Sequence, residues 1–154
     1  MTSPAETKLA ELGLKLPTPA TPVASYIPYT KSGKLVFVSG QVPLVDGKVS
    51  VTGKLGESVS LEDGQRAAQD CALNVLAQAK AAAGDLDSIA RVLKLTVFVA
   101  SAPGFTDQPK VANGASDLFV NVLGEAGKHA RSAVGLTALP LDSAVEVEAI
   151  FELK

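Results

Sequence analysis

The sequence predicts a single α+β domain in which helices pack on one face of a mixed β-sheet. Apolar residues form 47% and charged residues 19% of the 154 positions, a globular composition with enough length for one hydrophobic core but not for two. Two long stretches have helical spacing of apolar residues, and several shorter stretches have the alternation or β-branched content of strands. These stretches interleave along the chain, as expected of helices that cover one side of a sheet.

The chain is predicted to begin with a short helix. Ser3-Pro4-Ala5-Glu6 has the form of a capping box with proline at the first helical position. One face of this helix is apolar and consists of Ala5, Leu9 and Leu12. Gly13 is a natural end. Residues 15–24 contain three prolines and are therefore predicted to be an extended connector.

A hairpin is predicted next, with strands over 25–30 and 35–39 joined by a turn at Ser32-Gly33. Pro28 cannot donate a ladder hydrogen bond, which places the first strand at an edge or a bulge. Asp46-Gly47 marks another turn before a weak strand over 48–51.

Two longer helices follow. The first begins at Ser60 and ends at Gly84, and its predicted buried face consists of Ala68, Cys71, Ala72, Val75, Leu76 and Ala79. We interpret Cys71, inside this face, as a small buried hydrophobe rather than a nucleophile. The second begins after Pro103-Gly104 and is broken at Gly124; its apolar face consists of Val111, Ala115, Leu118, Phe119 and Val122.

Three strands complete the predicted sheet. Residues 92–101 are rich in β-branched side chains and indicate a central strand, whereas 144–153 alternate almost perfectly between apolar and polar residues, with Ile150 an exception. A turn over 139–142 makes 132–137 and 144–153 plausible hairpin partners. In that arrangement Arg131 approaches a carboxylate of the last strand. The pair is readable either as a salt bridge or as a site for a small anion.

Composition excludes several functional classes. The net charge of −2 and the lack of runs of like charge disfavour nucleic acid as a partner. No stretch approaches membrane-spanning length. A single cysteine and a single histidine exclude an intrachain disulfide and make a transition-metal site improbable. We therefore expect a cytoplasmic protein without a cofactor or a metal.

Five short motifs, in order and near the expected spacing, carry a family resemblance. They are Val38-Ser39-Gly40-Gln41-Val42-Pro43, Leu95-Thr96-Val97-Phe98-Val99, Ala130-Arg131-Ser132, Leu139-Pro140 and Val145-Glu146-Val147-Glu148-Ala149. With them the chain resembles the Rid family of enamine/imine deaminases, formerly called endoribonuclease L-PSP or translation inhibitors. The resemblance covers about residues 24–153 and leaves 1–23 as an added helix and connector of one domain. This helix and a longer loop before Arg131 indicate a longer subgroup.

The resemblance implies a chorismate-mutase-like fold, a homotrimer with clefts between subunits, and hydrolysis of 2-imino acids, such as that from 2-aminoacrylate, to a keto acid and ammonia. Arg131 and Glu146 match the family's catalytic positions. The other positions carried over to the substrate-binding cleft are Tyr26, Ser39, Gly40 and Asn113.

The residue types suit that chemistry, because a guanidinium grips a carboxylate in a bidentate way and a carboxyl group can move protons between water and the leaving ammonia. Glu148 shares the face of Glu146, so either could be the working carboxylate. His129 stands where the family often has proline. We interpret it as a solvated loop residue, with a role in proton movement left open.

Purely structural roles for some of these residues remain open at this point, and so do other functions for the protein. A tyrosine such as Tyr26 is more often an amphipathic interface residue, and Asn113 with Gly114 can simply kink a helix. A regulatory module that binds a small carboxylate without catalysis would need the same arginine. An endoribonuclease ranks last, because the chain has few aromatics, one histidine and an acidic balance.

Overall fold

The computed structural model of the protein describes residues 3–21 and 25–154. Three α-helices and seven strands are present in that part of the chain. They are α1 (Pro4–Glu11), β1 (Tyr29–Ser32), β2 (Leu35–Gln41), β3 (Leu44–Val45), β4 (Lys48–Val49), α2 (Leu61–Ala83), β5 (Ile89–Ala100), α3 (Gln108–Leu123), β6 (Ala130–Leu136) and β7 (Val145–Leu153). Among the described residues, no helix has the length and apolar character needed to cross a bilayer.

Five strands form one sheet in the order β1-β2-β7-β5-β6. β5 and β6 are parallel, and the other neighbours are antiparallel, so the sheet is mixed. β3 and β4 form a separate small hairpin around Asp46-Gly47. Helices α2 and α3 cover one face of the sheet, and α1 packs against α3. The predicted α+β fold, with two main helices on one face and an added short N-terminal helix, is confirmed.

The core lies between this helical layer and the sheet. Val145, Val147 and Phe151 of β7 are fully buried, as are the corresponding apolar residues of β5. Every residue of the two predicted helical faces is buried as well. The Cys71 thiol donates to the Val145 carbonyl oxygen over 3.4 Å. Burial raises the pKa of this thiol well above its usual range, which confirms that Cys71 is a buried hydrophobe and not a nucleophile.

The predicted helix ends are also confirmed. The Ser3 hydroxyl accepts from the Glu6 amide, and the Ser60 hydroxyl accepts from the Asp63 amide, each over 3.1 Å. Gly84 ends α2 in the left-handed region, with φ of 85°. The apolar face of α1 is shorter than predicted, because the helix ends at Glu11 and the side chain of Leu12 is exposed.

Two strand predictions are wrong in part. The first strand begins at Tyr29 and not at residue 25, because Pro28 precedes it and cannot join the ladder. β6 and β7 are not hairpin partners, because β5 lies between them. The helix α3 carries the chain from β5 to a parallel β6, and β7 then pairs with the opposite edge of β5. Residues 22–24 of the predicted connector lie outside the described residues.

Candidate functional site

Arg131 lies on the edge strand β6 and points towards α3. Its Cα is in register with that of Leu95, which faces the buried layer. The guanidinium donates through Nη1 to Asn113 Oδ1 over 2.8 Å and to Ser116 Oγ over 3.0 Å. Ser116 Oγ also lies 2.9 Å from His129 Nε2. We call Asn113, Ser116, His129 and Arg131 the arginine cluster.

The charge of Arg131 is not neutralised within this cluster. An amide oxygen and a hydroxyl, both neutral, hold the guanidinium, and no carboxylate of residues 3–21 or 25–154 forms an ion pair with it. Both contacts use Nη1, so the Nε and Nη2 donors on the other edge have no protein partner among those residues. That edge has the planar geometry that binds a carboxylate through two parallel hydrogen bonds.

Local sequence explains how these side chains meet. Asn113 and Ser116 are three residues apart on α3 and therefore share one helix face. After α3, a 3₁₀ turn over Gly124–Gly127 brings the chain directly back to β6. Gly127 fits there because a Cβ would overlap the Phe119 carbonyl oxygen and lie 2.6 Å from its carbon. The turn therefore fixes the start of β6 against α3.

Gly114, beside Asn113, has a packing role. A Cβ at Gly114 would overlap the Gln65 carbonyl oxygen and lie 2.8 Å from the Gln65 carbonyl carbon. The absence of a side chain thus allows the backbones of α2 and α3 to come into contact. The helical assignment continues through this point from Gln108 to Leu123. Close packing of the two helices therefore accounts for this glycine.

His129 lies in the loop before β6, as predicted, but the interpretation of its side chain as solvated is wrong. Its side chain is half-buried, with Nδ1 2.6 Å from the Gly127 carbonyl oxygen and Nε2 next to the Ser116 hydroxyl. Its ring meets that of Phe119 edge to face, with 6.0 Å between centroids. The turn before β6 folds the histidine inwards because Gly127, two residues earlier, is buried against α3.

Glu146 lies on the other face of the sheet. It alternates along β7 with the buried residues Val145 and Val147, so its side chain points away from the helices. Burial raises the pKa of Glu146, and the negative charge of Glu148 adds to this rise. Gly40 of β2 lies directly against it, since a Cβ at Gly40 would overlap Glu146 Oε1 and lie 3.0 Å from Cδ.

Ser39 and Glu148 are on the same open face as Glu146. Ser39, Lys94 and Glu148 line a cavity of about 240 Å³ on this face. Glu148 is exposed, whereas Glu146 is half-buried. We call Ser39, Gly40, Glu146 and Glu148 the glutamate cluster.

Tyr26 belongs to a segment that runs beside the glutamate cluster. The Ser39 hydroxyl donates to the Ile27 carbonyl oxygen over 3.0 Å, and the Ser39 amide donates to the Pro28 carbonyl oxygen over 2.9 Å. The Tyr26 side chain itself is 58% exposed. These bonds hold the two residues that follow Tyr26 against Ser39, and the exposed phenol of Tyr26 is available to an external molecule.

The two clusters do not meet within one chain. Arg131 faces the helices and Glu146 faces away from them, on strands separated by β5. Along β5, Arg131 is level with Leu95 and Glu146 with Phe98, three residues further on. The expected approach of Arg131 to a carboxylate of the last strand is therefore wrong for a single chain, and so is a salt bridge between them.

Ser116 is the member of the arginine cluster that sequence reasoning missed. A signal for it was present, because it lies three residues after Asn113 and therefore on the same side of α3, at the border of the apolar face. Only the docking of α3 on β6 shows that it bridges Arg131 and His129. No group of three or more His, Cys, Asp or Glu side chains in the described part of the chain is arranged to hold a metal ion.

Comparison with known proteins shows relatives over almost the whole chain. Protein TCP17 of Trypanosoma cruzi is 53% identical over 146 residues, which cover 94% of this chain and 91% of that protein. The crystal structure of Atu1372 from Agrobacterium tumefaciens, a protein of unknown function, is 51% identical and superimposes with a TM-score of 0.93, covering 98% of this chain and 93% of the other.

A more distant structure is that of Escherichia coli TdcF with bound serine. It is 26% identical with a TM-score of 0.66, and the match covers 89% of this chain and 94% of TdcF. The family model described as "YjgF/chorismate_mutase-like, putative endoribonuclease" matches residues 6–153, which include most of α1. Further relatives carry the RutC family name. The chain thus belongs to the YjgF/RutC family, the Rid proteins.

Proposed function

We propose that the protein is an enamine/imine deaminase that hydrolyses 2-imino acids to 2-keto acids and ammonia. The observation that carries this proposal is the state of Arg131, whose guanidinium donates to two neutral acceptors while its Nε/Nη2 edge has no partner among the described residues. An arginine fixed in this way is suited to bind the α-carboxylate of a small acid. The structure of the relative TdcF contains bound serine, an amino acid with an α-carboxylate, which agrees with such a ligand.

Glu146 supplies the proton transfer in this proposal. Its raised pKa brings it nearer to neutral pH than an ordinary glutamate, which is the range where one group both accepts and returns a proton efficiently. The carboxylate form of Glu146 takes a proton from water as the water oxygen attacks the carbon of the protonated imine. Glu146 then returns that proton to the nitrogen of the carbinolamine and is ionised again; as the C–N bond breaks and ammonia leaves, the carbinolamine hydroxyl gives its proton to Glu146 and becomes the carbonyl of the keto acid. Glu148 is exposed and serves only to raise the pKa of Glu146.

The complete site requires a second copy of the chain, because Arg131 and Glu146 of one copy face opposite sides of the sheet. We propose a homotrimer in which the arginine cluster of one subunit faces the glutamate cluster of its neighbour across a cleft. The open sheet face supports such an assembly, since Phe37 is 40% and Val134 is 44% exposed there. The family resemblance implies a homotrimer with clefts between subunits.

The decisive experiment follows the hydrolysis of 2-imino acids generated in situ by an amino-acid oxidase. We expect the wild-type protein to accelerate keto-acid formation and Arg131→Ala to lower kcat/KM by about a hundredfold or more, since two charge-assisted hydrogen bonds of about 1.5 kcal/mol or more each are lost. Arg131→Lys keeps the charge without the fork and should recover only part of the rate.

Two outcomes would contradict the proposal. Equal rates for wild type and Arg131→Ala, or no gain over buffer with several imines, would exclude the deaminase. If the wild type is inactive but binds keto acids in a way that requires Arg131, the protein is a carboxylate-binding module instead. The matched control is Lys128→Ala, a nearby exposed cation that pairs only with Glu125 among the described residues, and it should retain the wild-type rate.

A further inference from the structure

His129 takes part in a hydrogen-bonded chain that ends at Arg131. The imidazole is wedged between the 3₁₀ turn and α3, with its ring against Phe119. Nδ1 faces the Gly127 carbonyl oxygen at 2.6 Å, and Nε2 faces Ser116 Oγ at 2.9 Å. Ser116 Oγ in turn accepts from Arg131 Nη1. Both ring nitrogens therefore have defined partners.

These partners select one tautomer. A carbonyl oxygen only accepts, so the proton of the neutral ring must be on Nδ1. Nε2 is then an acceptor, and the Ser116 hydroxyl must donate to it. The Ser116 oxygen can then accept the hydrogen bond from Arg131 Nη1. Every donor in the chain from Arg131 through Ser116 and His129 to Gly127 thus points the same way.

The opposite tautomer breaks this order. A proton on Nε2 would point at the Ser116 oxygen, which already accepts from Arg131, and the serine proton would lose its acceptor. The unprotonated Nδ1 would also face the Gly127 carbonyl oxygen, so two acceptor atoms would lie 2.6 Å apart with no hydrogen between them. The Nδ1-protonated ring is therefore strongly preferred in this geometry.

We propose that His129 is a positioning residue for anion binding: through Ser116 it fixes Nη1 of Arg131 and so directs the free Nε/Nη2 edge towards the substrate carboxylate. This inference rests on the proposed role of Arg131 in binding that carboxylate. His129 itself touches no substrate.

The tautomer is directly measurable, because His129 is the sole histidine of the chain. Long-range ¹H–¹⁵N NMR of the full protein, recorded at alkaline pH values where the ring resonances no longer change with pH, should show a protonated Nδ1 and a bare Nε2. Ser116→Ala should shift the Nε2 resonance, since its donor is removed. An Nε2-protonated ring, or a mixture of tautomers that does not respond to Ser116→Ala, would overturn the inference.

Binding of pyruvate, measured by calorimetry, tests the functional part. His129→Phe keeps an aromatic ring against Phe119 but removes both hydrogen bonds. We expect it to weaken binding about five- to tenfold, as for the loss of one positioning hydrogen bond. Ser116→Ala should have a similar effect, and the double variant should be no worse than either single one, because the two residues act in series. His129→Gln, with an amide oxygen near the position of Nε2, should recover part of the affinity.

The outcomes separate this inference from the proposed function. If wild type and His129→Phe bind pyruvate equally, or if the two single effects add fully in the double variant, the positioning role is wrong while carboxylate binding stands. If the wild type binds no carboxylate, the proposed function and the positioning role both fail. Lys128→Ala, next to His129 in the sequence but outside the cluster, is the control and should bind as the wild type does.

Discussion

At the scale of single residues, the environment of Glu146 makes a pH-dependent prediction. Burial first, and then the negative charge of Glu148, raise the pKa of Glu146. A general base must be ionised, so activity should fall as the pH drops through this raised pKa. Glu148→Gln removes the neighbouring negative charge and lowers the pKa of Glu146. The acid limb of the kcat/KM profile should therefore move to lower pH in that variant.

The matched control for this profile is Glu152→Gln, on the same face of β7 but four residues further along, beside Leu35 and Arg91 in register. Its acid limb should coincide with that of the wild type. A Glu148→Gln profile that shifts to higher pH, or that loses activity at all pH values, would contradict the assignment of Glu146 as the working carboxylate.

Gly40 makes a second prediction at this scale. A Cβ at this position would collide with the carboxyl end of Glu146, which is the flexible part of that side chain, so Gly40→Ala should displace Glu146 and leave the strand intact. A displacement of about 1 Å at a reacting group costs on the order of a hundredfold in rate. Steady-state kinetics should show this loss together with a small change in Tm.

The double-mutant comparison distinguishes displacement from general damage. Without the Glu146 carboxyl group there is nothing to collide with, so adding Gly40→Ala to a Glu146→Ala protein should lower neither its residual rate nor its Tm further. A large loss of Tm in both backgrounds would instead show that Gly40 serves the strand and not the glutamate.

At the scale of elements, the contact between α2 and α3 supports the arginine cluster. Gly114 lets α3 touch the backbone of α2 at Gln65. Gly114→Ala gains about 1 kcal/mol of helix propensity but forces two backbones apart, and overpacking of this kind costs about 1–3 kcal/mol or more. We expect a net loss of stability in chemical denaturation, with weaker carboxylate binding because Asn113 and Ser116 move with α3.

Gly64→Ala is the control for this substitution, since it has the same chemistry in the other helix. There a Cβ would meet the Leu55 side chain, 2.7 Å from Cδ1, and a side-chain end yields more easily than a backbone. The loss should be smaller and carboxylate binding should not change. Equal losses at both positions would remove the argument for a special contact at Gly114.

The elements themselves were largely predictable, because their signals are local. The serine caps at Ser3 and Ser60, the glycine end at Gly84 and the alternation along β7 each depend on a few neighbouring residues. The order of strands was not predictable in this way. A turn over 139–142 looks like a hairpin connection from sequence, but whether β7 pairs with β6 or with the far edge of β5 depends on which edge of β5 is free after β6 docks. Patterns of neighbouring residues carry no information on which edge of β5 is free to pair with β7.

At the scale of the whole molecule, the same limit applies to the candidate site. The family resemblance supplied Arg131 and Glu146 as positions, and residue chemistry supplied their roles. Neither could place them on opposite faces of the sheet, because facing depends on the register of β6 with β5 and of β5 with β7. Ser116 and His129 were missed or misread for a related reason, since their partners come from the docking of two distant elements.

The position of Arg131 and Glu146 on opposite faces of the sheet leads to a prediction about subunit mixing. If each site combines Arg131 of one subunit with Glu146 of its neighbour, Arg131→Ala and Glu146→Gln should each be inactive alone but active when mixed. When equal amounts of the two variants exchange subunits at random, a given site has an intact Arg131 with a probability of about one half and an intact Glu146 with the same probability. About a quarter of the sites therefore contain both residues. The mixture should therefore reach about a quarter of the wild-type rate per chain.

The mixing experiment has an internal control in the double variant Arg131→Ala/Glu146→Gln. Mixed with the Arg131→Ala protein, it supplies no intact Arg131 to any site and must stay inactive, whatever the extent of exchange. Sedimentation of differently tagged chains confirms that exchange has occurred and that the particle contains three of them. Exchange without recovery of activity would contradict the shared site, and Arg131 and Glu146 of one chain cannot form the site instead, because they lie on opposite faces of the sheet. In that case Glu146 is not the proton-transfer group, and the partner of Arg131 must be sought among the residues around α3.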